Sequence, residues 1–296
     1  MANHIYYAVQ NVRVTPEIDS GISCAGYSGT GICEFGMISC GFSSTAEYTP
    51  VFELGRLALY DIVDGVTAVE ATVERYLGAN SQTLWGTVTG NNLATAIAVR
   101  PKIELVTIDD GDLSCSFTPN GYIRSTGLYI TSYSVNYPLD GAATESMTFV
   151  GTHYDQSATN WTNSIITASG AGSLAAFSSD GSQVVTRIDL TGAKYQSVTA
   201  SVSIGREDLF QFGSVEAYHK APTFPIESTM TIEKLAVDGD SGVGTAGGSP
   251  SSQSFDRVTI ANAYLTATEY GGGASTGGNA TITQTYTGYN DFSCTD

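Results

Sequence analysis

Ser197–Ile204, with the sequence SVTASVSI, alternates between hydroxyl-bearing and apolar side chains. Val198, Ala200, Val202 and Ile204 occupy every second position of this stretch. A period of two places successive side chains on opposite faces of a β-strand. The stretch therefore predicts a strand with one face in a hydrophobic core and one face of hydroxyl groups.

The same alternation recurs on both sides of this strand, in residues 66–77 and 279–287. Further strands are expected near residues 5–14, 31–42, 102–108, 128–137, 145–151, 184–190, 226–235 and 257–267. Asp64-Gly65 predicts a hairpin turn that separates a strand at residues 57–63 from the strand at 66–77. We detect no internal repeat and no linker that divides the chain.

Helical signals are few. Asn91 or Asn92 can cap a short helix that ends before Pro101, and Glu207–Phe212 is a second candidate turn of helix. The prediction is a mainly β protein, a sandwich or barrel with one or two short helices. We expect a single domain over residues 1–296, with a Cys- and Gly-rich segment at about 15–50 and a flexible loop at about 238–255.

The amino-acid composition restricts the classes of function that the chain can have. The 296 residues include 29 acidic and 12 basic side chains, for a net charge of -17, and only 14% are charged. A protein that grips nucleic acid needs clustered cations to displace counterions, and this chain has no such cluster. No apolar run reaches the length of a membrane helix, and the first residues lack a signal-peptide pattern, so we expect a cytoplasmic chain without a membrane partner.

No catalytic, metal or cofactor site is expected. His4, His153 and His219 do not stand at the spacing of a zinc hydrolase. Glu70 and Glu74 share one strand face, but the strand rise puts their Cα atoms about 13 Å apart, which is long for a catalytic acid pair. An exposed acidic stripe is the favoured interpretation.

Four stretches together resemble the major tail tube proteins of bacteriophages. They are GICEFGMISCGF followed by VFELGRLALYDIVDGVTAVEATVERYLG, then LYITSYSVNYPLDGAATESMTFVG, VTASVSIGREDLFQFGSVEAYHKAPTFPIESTMTIEKL, and DRVTIANAYLTATEYGGG leading to YNDF. No single string is diagnostic, and the resemblance rests on their order and their coverage of most of the chain. Residues 20–40 and 151–183 depart from the pattern.

The resemblance implies a structural virion protein and no enzyme. Six copies would form a ring whose sheets continue from subunit to subunit, and rings would stack into a tube that DNA crosses only in transit. Further partners would be the tail sheath, the tail terminator and baseplate or tip proteins, and the chain would be made in the host bacterial cytoplasm. Residues 43–55 would form the ring-stacking loop, with Glu47, Tyr48, Phe52 and Glu53 as candidate contacts, and residues 57–77 would belong to the barrel wall. Glu70 and Glu74 would then contribute to a negative lumen.

The cysteine number is odd, so the chain cannot pair all its thiols internally. Cys24, Cys33, Cys40, Cys115 and Cys294 are either free thiols in a reducing cytoplasm or partners in an intersubunit disulfide formed later.

Three alternatives stay open. Another part with the same fold, such as a tail terminator, a tip ring or a contractile secretion tube, would give a similar sequence. A carbohydrate-binding β-sandwich would use exposed aromatic residues, with Trp85 and Trp161 as candidates. An enzyme is the least favoured, because the motifs that carry catalysis fail.

Overall fold

The computed structural model describes residues 10–17, 32–33, 37–55, 59–77, 83–108, 119–139, 142–153, 155–156, 194–213, 217–236, 246–271 and 280–294. Two helices are present there, α1 (Leu84–Thr89) and α2 (Leu93–Ala98). The strands are β1 (Gln10–Glu17), β2 (Ile32–Cys33), β3 (Met37–Phe52), β4 (Leu59–Tyr76), β5 (Arg100–Ile108), β6 (Pro119–Ser125), β7 (Tyr129–Pro138), β8 (Thr144–Gly151), β9 (Asp155–Gln156), β10 (Tyr195–Ser203), β11 (Arg206–Leu209), β12 (His219–Pro222), β13 (Glu227–Leu235), β14 (Ser251–Phe255), β15 (Val258–Gly271), β16 (Thr281–Tyr289) and β17 (Ser293–Cys294). The prediction of a mainly β fold with one or two short helices is confirmed.

A large antiparallel sheet dominates the fold. Its strand order is β14-β15-β16-β13-β10-β7-β8-β4-β3, and β17 also pairs with β15. The first residues of β15 pair with β14 and β17, whereas its second part, from Tyr264 to Gly271, pairs with β16. The term main sheet is used below for the eight strands from this second part of β15 to β3.

The β14 end of the sheet folds back over the core. Phe255 of β14 lies with its ring centroid 5.2 Å from Tyr137 of β7 and 5.4 Å from Tyr195 of β10. In the strand order β14 and β7 stand five places apart, so a flat sheet would separate them by about 24 Å. The fold is therefore a sandwich in which β14, the start of β15 and β17 cover one face of the main sheet.

The helices and a five-stranded sheet of order β2-β1-β5-β6-β9 also contribute buried residues to this core. Trp85 of α1 is fully buried and contacts Tyr133 and Phe292 at ring-centroid distances of 5.4 and 5.1 Å. This placement removes Trp85 as a candidate for an exposed glycan platform, because the indole fills the core. Trp161 lies outside the described residues.

Helix ends follow the expected capping chemistry. Asn92 caps α2, where its side-chain oxygen accepts a hydrogen bond from the Ala94 amide, so the helix predicted from this residue is confirmed. The second predicted turn of helix is wrong, because Arg206–Leu209 pairs with β12 as strand β11. No helix among the described residues is long and apolar enough to span a membrane.

The predicted hairpin turn at Asp64-Gly65 is also wrong. Asp64-Gly65 is no hairpin turn: β4 runs through it, and Gly65 with the next residue forms a β-bulge opposite Glu47. A Cβ at Gly65 would lie 2.4 Å from the Glu47 carbonyl oxygen, which explains the glycine. The predicted stacking loop at 43–55 is mostly strand β3, and residues 251–255 of the predicted flexible loop form β14.

Candidate assembly interfaces

No element in the described part of the chain covers one face of the main sheet. Its central strands expose Ser134, Asn136, Thr199 and Ser203, whereas the residues between them, such as Val135 and Val202, are buried in the sandwich core. Cross-strand pairing puts these polar positions in continuous rows from β3 to β16. We call this surface the bare face. Its short polar residues are Ser39, Ser43, Thr45, Thr72, Ser132, Ser134, Asn136, Thr144, Ser146, Thr148, Ser197, Thr199, Ser201, Ser203, Thr229, Thr231, Thr281, Thr283, Thr285 and Thr287.

The charges on the bare face have one sign. Between the bulge after Met37 and the pair Ser43–Glu70 at one edge and β15 at the other, its charged residues are Glu70, Glu74, Glu227, Glu233 and Glu269. Within the described residues of the eight strands, no Lys, Arg or His shares this face, because Arg75 and Lys234 alternate to the core side. The surface therefore combines neutral hydroxyl groups with carboxylates, and it offers phosphate groups no cationic partner.

The sequence-predicted acids Glu70 and Glu74 both lie on the bare face. Glu70 is exposed, and Glu74 accepts a hydrogen bond of 3.2 Å from the Ser39 hydroxyl of the adjacent strand. The other three glutamates were not singled out from the sequence. The strand alternation around Glu233 was the available signal, since it has the same pattern as that around Glu74.

Among the described residues, neither edge of the main sheet has a further strand paired with it over several residues. The outermost strand on one side is β3, which pairs only with β4 among the described residues. On the other side, the part of β15 from Tyr264 to Gly271 pairs with β16, and its Leu265 carbonyl also accepts a 3.0 Å hydrogen bond from the Gly247 amide. No other described strand pairs with this part of β15. Unpaired strand edges offer rows of amide and carbonyl groups to another chain.

The β3–β4 hairpin extends beyond the sheet as a two-stranded arm. Pairing of β4 with its neighbour β8 starts only at Val69, so residues 44–55 and 59–68 form a ribbon that no third described strand joins. An isolated two-stranded ribbon is marginally stable in water. The arm nevertheless exposes large apolar side chains, which are Tyr48, Phe52, Leu54, Leu59, Tyr60, Ile62 and Val63.

The two faces of the arm differ in what they continue. From Ser39 to Phe52, β3 alternates without interruption, so Tyr48 and Phe52 lie on the side of Phe42, which packs against the core. Glu47 lies on the opposite side and continues the bare face. Glu53 is exposed in the turn at the tip. Of the four predicted stacking residues, the two aromatic ones thus occupy the core side of the arm, where no described element of this chain covers them.

A second, shorter hairpin leaves the same end of the main sheet. Strands β11 and β12 connect β10 to β13, and Phe210, Phe212 and Tyr218 are exposed around its tip. Arg206 fixes its base, because the guanidinium donates hydrogen bonds to the carbonyl oxygens of Ile97 (3.0 Å) and Ala96 (3.3 Å) at the end of α2. Burial lowers the pKa of Arg206 to about 10.

A buried cluster of hydrogen bonds around Glu145 joins α1 to the main sheet. Glu145 of β8 accepts hydrogen bonds from Arg75 of β4, from the Leu84 amide of α1 (2.8 Å) and from the Tyr133 hydroxyl (2.8 Å). The side chains of Arg75 and Glu145 are buried. Burial, followed by the charge of Glu145, raises the pKa of Tyr133 well above its ordinary value. This cluster fixes α1 against the sheet and leaves the bare face untouched.

The described cysteines give no support to a disulfide. Cys40 is a free thiol on the core side of β3, and burial raises its pKa to about 12, which suppresses the reactive thiolate. Cys294 is a reduced and fully buried thiol. Cys33 lies in β2, but its side chain is outside the described part of the chain, as are Cys24 and Cys115.

No family model matches the chain. No curated protein matches it either. Among solved structures, it is similar to the SPP1 tail tube determined by solid-state NMR and cryo-electron microscopy, with 12% sequence identity and a TM-score of 0.34. That similarity covers 50% of this chain and 77% of the other.

Proposed function

We propose that this protein is a structural component of the virion, the subunit of a bacteriophage tail tube through which DNA passes into the host. The observation that carries the proposal is the bare face, with its hydroxyl groups and five glutamates and without a described basic residue. The resemblance of the sequence to tail tube proteins points in the same direction.

The chemistry of the bare face suits a passage better than a binding site. Nucleic acid binds proteins chiefly through phosphate contacts with Lys and Arg, which release condensed counterions. Single strands also bind by stacking on exposed aromatic side chains. The centre of the bare face has neither, and its carboxylates repel phosphates, so duplex DNA would slide past without being retained.

The sandwich also supports one choice of the face that would line the bore. The core side of the main sheet already holds the helices, β14 and the start of β15. If that side faced inward, a second layer about 10 Å thick would fill the passage. The bare face is therefore the inner wall of the proposed tube, with Glu70 and Glu74 in the lumen.

Self-assembly would use the open edges and the arm. Pairing of sheet edges between copies would satisfy backbone groups and continue the bare face around a ring. The exposed apolar side of the arm would pack on the adjacent ring, since apolar surface of this extent marks a protein contact. The resemblance implies six units around the ring, with sheath, terminator and baseplate or tip proteins as further partners. No catalytic step is part of this role.

The rival functions differ in observable behaviour. A tail terminator, a tip ring or a secretion tube would share the sheet and the edges, but terminators and tip rings would stop at single rings. The carbohydrate-binding alternative is weakened because Trp85, one of its two candidate residues, is buried in the core.

Electron microscopy of the purified protein, followed by a test of the lumen charge, would examine the proposal. Tubes should form, and wild-type tubes should not retain a fluorescent duplex oligonucleotide on sedimentation. Glu70→Lys places a cation on the bare face and should make the tubes retain the duplex at low salt and release it at high salt. Glu207→Lys, an equal charge change at an exposed position of β11, is the matched control.

Two results would overturn the proposal. A protein that stays monomeric at high concentration would not be a tube subunit. Equal retention of DNA by the Glu70→Lys and Glu207→Lys tubes would show that the bare face does not line the bore.

A further inference from the structure

The main sheet consists of two four-strand units with the same topology. The first unit contains β3, β4, β7 and β8, and the second contains β10, β13, β15 and β16. In each unit the first strand pairs with the second, the second with the fourth, and the fourth with the third. All neighbours are antiparallel, so equivalent strands also run in the same direction. The second unit is therefore the first one moved along the sheet by four strands.

Irregularities in the strands repeat with the topology. The register of β3 against β4 shifts between Met37 and Ser39, and that of β10 against β13 shifts between Tyr195 and Ser197. Just after each shift a serine hydroxyl donates to a glutamate across the strand pair: Ser39 to Glu74 at 3.2 Å, and Ser197 to Glu233 at 3.1 Å. A bulge and a side-chain bond at the same place in both units identify Ser39 with Ser197 and Glu74 with Glu233.

A second pair of bulges leads to the same alignment. The shift between β7 and β8 falls at Thr131, and the shift between β15 and β16 falls at Thr266. Each threonine hydroxyl donates a 3.1 Å hydrogen bond to a backbone oxygen of the neighbouring strand, that of Thr148 in the first unit and that of Thr285 in the second.

The connection between the first two strands carries the clearest sequence repeat. In the first unit it is the arm, with the tip sequence FELGRLALY (Phe52–Tyr60), and in the second it is the β11–β12 hairpin, with FQFGSVEAY (Phe210–Tyr218). The central glycines, Gly55 and Gly213, have φ angles of 85° and 87°. The exposed residue before each glycine is apolar, Leu54 at 104% and Phe212 at 110% of full exposure.

The two units meet inside the chain, and this junction is a template for contacts between chains. There, the first strand of the second unit (β10) pairs with the third strand of the first unit (β7). The strands that have a single neighbour in the described part of the main sheet are the equivalents of these two, β3 and the second part of β15. The exposure of equivalent side chains differs accordingly. Val135, which lies in the internal junction, is 1% exposed, whereas its equivalent Tyr270 at the sheet edge is 64% exposed.

We propose that β3 of one chain pairs with β15 of the next in the register of the internal junction, and that three chains, not six, close the ring. The inference rests on the proposed function. Transferring the pairs Thr199–Asn136, Ser201–Ser134 and Ser203–Ser132 gives Gly41–Gly271, Ser43–Glu269 and Thr45–Ala267 between chains. Phe42 and Tyr270 then face each other on the core side. The ring has six four-strand units, which reconciles the number implied by the resemblance with a chain of two units.

The number of strands in the ring determines the diameter of the bore. With strands about 4.8 Å apart and tilted by about 40°, a barrel of roughly 24 strands has a backbone diameter of about 48 Å. Side chains reduce this by about 10 Å, half of a sheet spacing on each wall, to a bore of about 38 Å. Duplex DNA is roughly 20 Å across, a little more than twice the depth of its major groove. Two chains would leave a bore of about 22 Å without room for hydration, and six would leave about 86 Å.

Cysteine cross-linking tests both the register of β3 against β15 between chains and the number of chains in the ring. Ser43→Cys with Glu269→Cys places two exposed cysteines opposite each other on the bare face, within the Cα separation that a disulfide spans. Oxidised assemblies of this variant should give a ladder on a denaturing gel that ends at three chains. The control, Ser43→Cys with Thr268→Cys, moves one cysteine to the opposite sheet face and should remain uncross-linked.

Each outcome decides a separate point. A ladder that ends at six chains, or equal cross-linking in the control, overturns the inference and leaves the tube function standing if tubes are seen. A cross-linked trimer without tubes supports the junction and rejects the tube. If the variant does not assemble, the mass of one wild-type ring tests the number of chains in it. Three chains of 31.0 kDa give about 93 kDa, and a ring of twice that mass would refute the three-chain ring.

Discussion

Tyr270→Ala should weaken the contact between chains while leaving the single chain stable. Tyr270 lies at the open edge of β15 and is 64% exposed, and in the proposed junction it packs against Phe42 of the next chain. A buried tyrosine side chain removes about 200 Å² from water, so 64% of it corresponds to about 130 Å². At about 25 cal/mol per Å², the loss is about 3 kcal/mol, or roughly a 100-fold weaker junction.

The assay is the critical concentration for assembly, measured by light scattering or sedimentation. The variant should need about 100-fold more protein to assemble, with an unchanged urea midpoint for the dilute monomer, because the lost contact belongs to the neighbour. Tyr289→Ala removes an equally large, exposed side chain from β16, which is not an edge strand, and should leave the critical concentration within about threefold. A critical concentration for Tyr270→Ala equal to that of wild type would refute the junction.

Three further predictions concern the core, a thiol and the arm. Glu145→Ala removes the carboxylate that pairs with the buried Arg75 and should lower the free energy of unfolding by about 3–5 kcal/mol in urea titrations of the monomer. The control Glu227→Ala, at an exposed position, should change the free energy of unfolding by less than about 0.5 kcal/mol, and equal losses would contradict the role of the pair. Folding raises the pKa of the Cys40 thiol from its ordinary 9.0 to about 12, so the thiol stays protonated in the folded chain and the chain loses stability as the pH rises from about 9 towards 12. Near pH 8, peptide mapping should find Cys40 alkylated slowly in the folded chain and quickly in urea, and equal rates would refute the burial of Cys40. Replacing Phe52 and Leu54 with serine should leave rings that fail to stack, visible as isolated rings in electron micrographs, and normal tubes would show that the arm tip is not a stacking contact.

Much of the strand content was predictable because the alternation is strict. Val198, Ala200 and Val202 alternate with hydroxyl residues, and no other period fits, so the strand, its core face and its polar face follow directly. The Asn92 cap was predictable for a similar reason, since its signal is local. Gly65 shows where local reasoning fails: Asp-Gly favours a tight turn in isolation, but pairing with β3 continues on both sides and converts the site into a bulge.

The duplication was harder to detect because it is carried by positions far apart in the sequence. Its best local signal is the tip, where Phe52 and Phe210, Gly55 and Gly213, and Tyr60 and Tyr218 correspond. Elsewhere the units share burial and register but few identities. At the place of Glu145, for example, the second unit has Ile282, which buries an apolar group where the first unit buries an ion pair. Conserved backbone pairing with exchanged core chemistry is invisible to a search for repeated letters.

The two units differ most in the hairpins that leave the sheet, and this difference has a consequence for the tube. The arm of the first unit is a long ribbon that no other described strand joins, whereas Arg206 fastens the hairpin of the second unit to the end of α2. Three chains would therefore place three free arms and three fastened hairpins in alternation around each ring. Six identical units could stack on the next ring in six equivalent orientations, but an alternating ring has only three. Duplication followed by divergence would thus fix the rotational relation between successive rings more tightly than identical units can.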